Sequence, residues 1–283
     1  VLVLHTNAGV LASSRLVQYG EVSVEDLLEP LSARSLLASA LLGSHPPKLR
    51  GSLLVAFGGR FGINEGTIRV ALSRMVERGE LANINGYYQL EGKLLERQER
   101  QDRSRTPPRS GRRTPWNGTW EQAVVTVIGR PASQRARLRR SLTALGLGEL
   151  REGVWMRPAN LDEQRLPRAR AEAGSQVNWF TVNEVDQTTS VELVNALFEL
   201  DQWEATAGRL IDAIDKAVAD MGADDAMVSG FKLASATVRH LVHDPLLPHA
   251  LTPKGWPADE LRTIYGVFES SYQQQLRQFF AAA

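Results

Sequence analysis

Between residues 33 and 92 the apolar positions form three helical stripes followed by two short β-prone runs. In Ala33–Leu42, the residues Leu36, Leu37, Ala40 and Leu41 recur at the spacing of one helix face. Gly43 and the Pro46–Pro47 pair close that segment, since proline removes a backbone donor. A second helix is expected over Leu49–Arg60, burying Leu53, Leu54 and Phe57. Phe61–Gly62–Ile63 then makes a tight turn. The third stripe, Ile68, Ala71, Leu72, Met75 and Val76, predicts a helix over Glu65–Arg78. Asn64 stands at its N-cap, where a side-chain oxygen can accept from the free backbone N–H groups. Gly79 ends it. Leu81–Ile84 and Tyr87–Leu90 flank Asn85–Gly86, and Asn-Gly between β-prone runs is a strong hairpin signal.

Helix, helix, tight turn, capped helix and hairpin, in that order, predict a winged helix-turn-helix over 33–92, preceded by an extension over 1–32. The charged stretch that follows is helical in pattern up to Arg105, then reaches Pro107–Pro108 and Gly111, and reads as a linker over 93–115. From 116 to 188 the periodicity alternates. A strand is expected over Ala123–Ile128, a helix over Ser133–Leu145, and further strands at Val154–Met156 and Val177–Val182. That β-α-β spacing suits a ferredoxin-like sandwich. From 189 to 283 the pattern is helical, with expected helices Val191–Met221, Ala223–His243 and Ala258–Phe280 and a proline-rich break at Asp244–Trp256. The fold class is therefore α+β, in three units.

Charge adds direction to this picture. The net charge is only +1, but Arg34–Arg113 holds 15 Lys+Arg against 7 Asp+Glu. A basic N-terminal unit on a mildly acidic body marks where a polyanion would dock. The chain contains no cysteine, which excludes disulfides, thiolate metal sites and cysteine nucleophiles and suits a reducing cytosol. No apolar run approaches the length needed to span a bilayer, so a cytoplasmic protein that makes no use of a membrane is expected.

If the third helix enters a major groove, its outward side chains must meet base edges. Removing the buried stripe leaves Gly66, Thr67, Arg69, Val70, Ser73, Arg74 and Arg78, behind the cap Asn64. Arginine donates bidentately to guanine, the hydroxyls pair with either partner, and Val70 can meet a thymine methyl. Asn85 and Gly86 are the expected wing contacts. The bland alternative is a solvated helix face.

The stretches ARSLLASALLG (33–43), FGINEGTIRVALSRMVERGEL (61–81), WNGTW (116–120), GVWMRP (153–158) and RHLVHDPLLPHALTPKGWPADELR (239–262) together resemble PaaX-type repressors, regulators of phenylacetic acid degradation. The resemblance spans about Ala33 to Phe280. It implies a winged helix, a central ferredoxin-like domain related to CRISPR-associated endonucleases, and a C-terminal helical domain for effector binding and dimerisation. It further implies a homodimer that represses an aromatic catabolic operon on double-stranded DNA, released by an aryl- or acyl-CoA thioester. Such an effector needs cations for its phosphates and an apolar slot. Trp203, Arg209, Phe231, Lys232, Arg239, His240 and Trp256 are the candidate lining.

Two other classes are weighed against this. The first is a metal-dependent nuclease. The CRISPR-associated endonucleases that the central domain resembles place a catalytic carboxylate at the end of their first strand, where it can hold a metal ion, but Ala123–Ile128 ends at Gly129. His240, His243, Asp244 and His249 have the spacing of a metal set, yet helix capping and turn formation suffice to account for them, and no metal is expected. No nucleophile elbow, phosphate-binding loop or dinucleotide fingerprint occurs, so no catalytic residue and no cofactor are expected. The third class is a scaffold whose winged helix binds protein.

Overall fold

A computed structural model of the chain describes residues 32–105, 116–127, 129–161, 171, 173–183, 187–219 and 226–282. The expected extension, apart from Ser32, and residues 106–115 lie outside them.

The first unit comprises α1 (Ala33–Leu42), β1 (Lys48–Arg50), α2 (Gly51–Arg60), α3 (Glu65–Glu77), β2 (Leu81–Ile84) and β3 (Tyr87–Leu90). The strands form one antiparallel sheet in the order β1-β3-β2, the element order and pairing of a winged helix. Leu36, Leu37, Leu41, Leu54, Ile68, Leu72 and Met75 are fully buried, so the three stripes meet in one core. Gly58 permits the close approach of α2 to α3. A Cβ there would lie 2.5 Å from Ile68 Cδ1, which no packed side chain tolerates. Asn85 (φ 53°) and Gly86 (φ 79°) make the left-handed turn of the β2–β3 hairpin. The expected second helix begins two residues later than its pattern suggests, because Lys48–Arg50 pairs as a strand with β3. Leu49 fits either role, and pairing with a strand some forty residues away decides between them.

The expected linker begins with ordered structure. Gly92–Arg105 forms α4, which packs on α1 and on a C-terminal helix. Gln98, buried, donates from its side-chain amide to the carbonyls of Leu42 and Ser44 at 3.0 Å, closing the open C-terminal end of α1.

The central unit consists of β4 (Thr119–Val125), α5 (Ala132–Ala144), β5 (Gly148–Arg151), β6 (Val154–Pro158) and β7 (Val177–Asn183). Its sheet is antiparallel, in the order β5-β6-β4-β7. This is the ferredoxin-like strand order. β4 starts four residues before the expected Ala123 and ends at Val125. β5 has no apolar alternation that would mark it as a strand in the sequence. It exists because it pairs with β6 across the Glu152–Gly153 turn. In the WNGTW stretch, the Asn117 side chain accepts from the backbone N–H of Thr119 at 3.2 Å, and Trp120 is buried.

The C-terminal helices are α6 (Gln187–Leu197), α7 (Leu200–Ala219), α8 (Ala226–Val242) and α9 (Ala258–Ala282). The single long helix expected over Val191–Met221 is broken after Leu197, because its two halves bury their apolar faces in different places. Val194 of α6 packs with Trp120 and Met156 of the central sheet, whereas Ala207, Leu210 and Ile214 of α7 join α8 and α9.

The winged helix and helices α7–α9 share one continuous apolar core. Phe57 and Phe61 contact Phe231 of α8, with ring centroids 5.1 and 5.4 Å apart, and Phe57 also meets Phe279 and Phe280 of α9.

Candidate nucleic-acid interface

α3 is held from behind by α1, α2 and β2. Its N-terminus is capped as expected: the Asn64 side-chain oxygen accepts from Thr67 N–H at 2.8 Å. Glu65 in the first turn complements the helix dipole. Asn64, Gly66, Thr67, Arg69, Val70, Ser73, Arg74 and Arg78 are all exposed. Among the described residues, no element of the central unit packs on α3 to the extent that α1, α2 and β2 do. Val70 is 51% exposed, an apolar side chain left on the surface among polar neighbours.

The three arginines differ in readiness. Arg69 is engaged by Glu65 one turn away, at 2.7 Å. Arg74 and Arg78 have no acidic partner among the described residues. Ser73 donates to Glu77 at 3.3 Å. Among the described residues, Arg69 and Ser73 are held by exposed carboxylates alone, pairings worth little in water.

The wing tip exposes Ile84, Asn85 and Gly86, and Asn83 braces it by accepting from Gly86 N–H at 3.1 Å. Beside it lies a basic cluster that pattern reading misses. Lys48 Nζ and the Arg50 guanidinium sit 4.9 and 5.1 Å from the Tyr87 ring centroid, and Arg50 donates to the Tyr87 hydroxyl at 2.7 Å. Tyr87 thereby holds two cations on the edge strand of the wing sheet. Once β1 is known to be a strand, the alternation of exposed Lys48, half-buried Leu49 and exposed Arg50 makes this legible.

The seven candidate effector residues do not converge. Trp203 stacks on both His240 (4.3 Å) and Trp256 (4.6 Å), and the His240 ring bonds to the Trp203 carbonyl at 3.1 Å. This stack closes the junction of α7, α8 and the proline-rich loop. Burial pushes the His240 imidazole down to about 4, outweighing its hydrogen bond to Trp203. Trp203 and His240 line a cavity of 780 Å³ facing the central unit, whereas Phe231 and Arg239 line a different one of 520 Å³ facing the winged helix. Arg209, Lys232 and Trp256 line neither. Arg209 instead donates to the Thr206 hydroxyl at 3.1 Å.

The residues weighed as a metal set are used otherwise. The carboxylate of Asp244 accepts from Arg262 and from Leu246 N–H, and His243 bonds to the Arg239 carbonyl at 2.7 Å. Among the described residues no group of three or more histidines and carboxylates is placed to hold a metal ion. In β4 the acid is Glu121, mid-strand and opposite Arg157, not at the strand's end. Among the described residues no helix is long and apolar enough to cross a membrane.

Three family models match the chain consecutively: a PaaX-like protein model over residues 32–94, the PaaX protein central Cas2-like domain over 113–194, and the PaaX-like protein C-terminal domain over 195–282. Among solved structures, the uncharacterized protein Rv0674 from Mycobacterium tuberculosis is 36% identical. The match covers 88% of this chain and 99% of that one, with a TM-score of 0.64. No curated protein matches.

Proposed function

This chain belongs to the PaaX family, and from that premise we propose that it is a transcriptional regulator that binds duplex DNA sequence-specifically and catalyses no reaction. The observation that carries this reading is the uncovered face of α3, where Thr67, Val70, Arg74 and Arg78 project to solvent from a capped, rigidly backed helix. Exposed arginines beside hydroxyls and one apolar side chain form the donor and apolar set that reads major-groove edges. The wing and the Lys48–Arg50–Tyr87 cluster supply the phosphate contacts that fix register.

In this reading the regulator is a homodimeric repressor in the cytoplasm. Its two recognition helices meet half-sites one helical turn apart, about 34 Å. A CoA thioester of an aromatic or acyl acid releases it by favouring a dimer geometry that no longer matches the operator.

Selection of bound duplexes from a random pool tests the reading. Enrichment of an inverted repeat is expected. Retention of duplex with no sequence enrichment, or no retention at all, refutes sequence-specific regulation and leaves the protein-binding scaffold. Release of the selected duplex by members of a panel of aryl- and acyl-CoA thioesters tests the effector.

A further inference from the structure

The 520 Å³ cavity lies where the winged helix meets the C-terminal helices, bounded by α1, α4, α8 and α9. Its size falls in the range of small-molecule sites, about 300–1,000 Å³. Two kinds of surface line it. Phe57 and Phe231 are buried and Phe280 is half-buried, giving an aromatic wall. Arg97, Arg239 and Arg277 are exposed and stand at its rim, one each from α4, α8 and α9.

The charge at this rim is unbalanced. Two further arginines of the lining are neutralised: Arg34 by Glu80, at 2.6 Å, and Arg105 by Glu269 and Asp102. Arg97, Arg239 and Arg277 have no acidic partner among the described residues. Three guanidinium groups from separate helices thus meet at one opening with no counter-charge paired to them among the described residues. Arg97 registers the result. Its guanidinium is pushed below the usual arginine range by partial burial, and further by the positive charges of Arg239, Arg100 and Arg34. Like charges at an apolar opening are an unfavourable arrangement that an anion relieves.

We propose that this cavity binds an organic anion with an apolar end, its ring or chain against Phe57, Phe231 and Phe280 and its carboxylate or phosphate between Arg97, Arg239 and Arg277. Arginine suits both oxyanions, because its planar fork donates to two oxygens at once.

The site also has a route to the DNA-binding face. Arg34 lines this cavity and also the concave surface beside α3 that includes Thr67, Arg74 and Arg78. Its guanidinium grips Glu80, three residues past the end of α3, through two hydrogen bonds. An anion in the cavity competes with Glu80 for Arg34 and presses on α1, which packs directly on α3. Occupancy then shifts the helix that meets DNA. This consequence rests on the regulator reading; the site itself rests on the cavity.

Isothermal titration of the full chain with phenylacetate, octanoate, phenylacetyl-CoA and free CoA tests the site and separates a free carboxylate from a phosphate-bearing thioester. At least one of the three probes with an apolar end binds, and free CoA binds more weakly than phenylacetyl-CoA. The double variant Arg97→Glu/Arg239→Glu weakens that binding about tenfold or more, equivalent to about 1.4 kcal/mol. Arg97→Lys/Arg239→Lys, which keeps the charge but loses the forked donor, weakens it less than the glutamate variant does, and Ser235→Trp, filling the cavity from α8, abolishes it. No binding of any probe to the wild-type chain overturns the site. So does an unchanged affinity in a Ser235→Trp variant that melts like wild type. DNA retention is measured on the same preparations. Probe binding without DNA binding refutes the regulator reading alone, and DNA binding with probe binding indifferent to these substitutions refutes the site alone.

Discussion

Asp244 and Arg262 form an ion pair shut away from water, their side chains 2% and 1% exposed. Arg262, from α9, also donates to the Ser104 carbonyl at the end of α4, at 2.9 Å. Asp244 turns the proline-rich loop by accepting from Leu246 N–H at 3.0 Å. That loop is tied to the central unit as well, since Asn160 donates to the Leu246 carbonyl and is itself held by the buried Arg157. One pair thus fastens α4, α9 and the loop to one another, and through the loop it reaches the central sheet.

Removing one member leaves the other charged and buried. Arg262→Ala or Asp244→Ala should therefore destabilise the fold by about 3–5 kcal/mol, measured by denaturant unfolding. A loss under about 1 kcal/mol would mean that water reaches the pair.

Because the winged helix and α7–α9 share a core, they should unfold together. Phe231→Ala removes the ring between Phe57 and Phe61 and should cost about 3–5 kcal/mol. Amide exchange should slow or quicken together in α2 and α8. Separate protection of the two segments, with α2 opening independently, would contradict the shared core.

Arg74→Ala should weaken specific DNA binding by about 1–3 kcal/mol with the melting temperature unchanged, because Arg74 is exposed and has no acidic partner among the described residues. Lys48→Ala and Arg50→Ala should weaken binding to all sequences alike and lower the salt dependence, each by about one unit of slope. Fluorescence anisotropy across a salt series separates the two patterns. A uniform loss in Arg74→Ala would move it from base reading to phosphate contact.

His240 gives a pH signature. Its folded value, about 4, lies below the ordinary histidine value of about 6.5. The unfolded chain therefore takes up the proton first. The stabilisation is complete above about pH 6.5 and is lost as pH falls towards 4, at no more than about 1.4 kcal/mol per pH unit. His240→Phe keeps a ring against Trp203 and should flatten this part of the stability curve. An identical slope in the variant would assign the effect to other groups.

Local chemistry made much of the molecule legible in advance. The stripe of Ile68, Leu72 and Met75, the Asn64 cap and the Asn85–Gly86 turn each depend on residues within a few positions of one another. The outward set on α3 followed by subtraction. What pattern reading missed depends on partners distant in the chain. Lys48–Arg50 is a strand because of Tyr87–Leu90, and Gly148–Arg151 is a strand because β6 lies beside it. The break after Leu197 comes from two separate apolar surfaces, and Gly92–Arg105 gains its place from contacts with α1 and α8. The candidate effector residues scattered for the same reason: helical spacing says which side chains share a face, but not which cavity that face lines. Periodicity records a residue's neighbours within one element, whereas the meeting of Arg97, Arg239 and Arg277 at one opening is set by how three helices pack around the buried rings of Phe57 and Phe231.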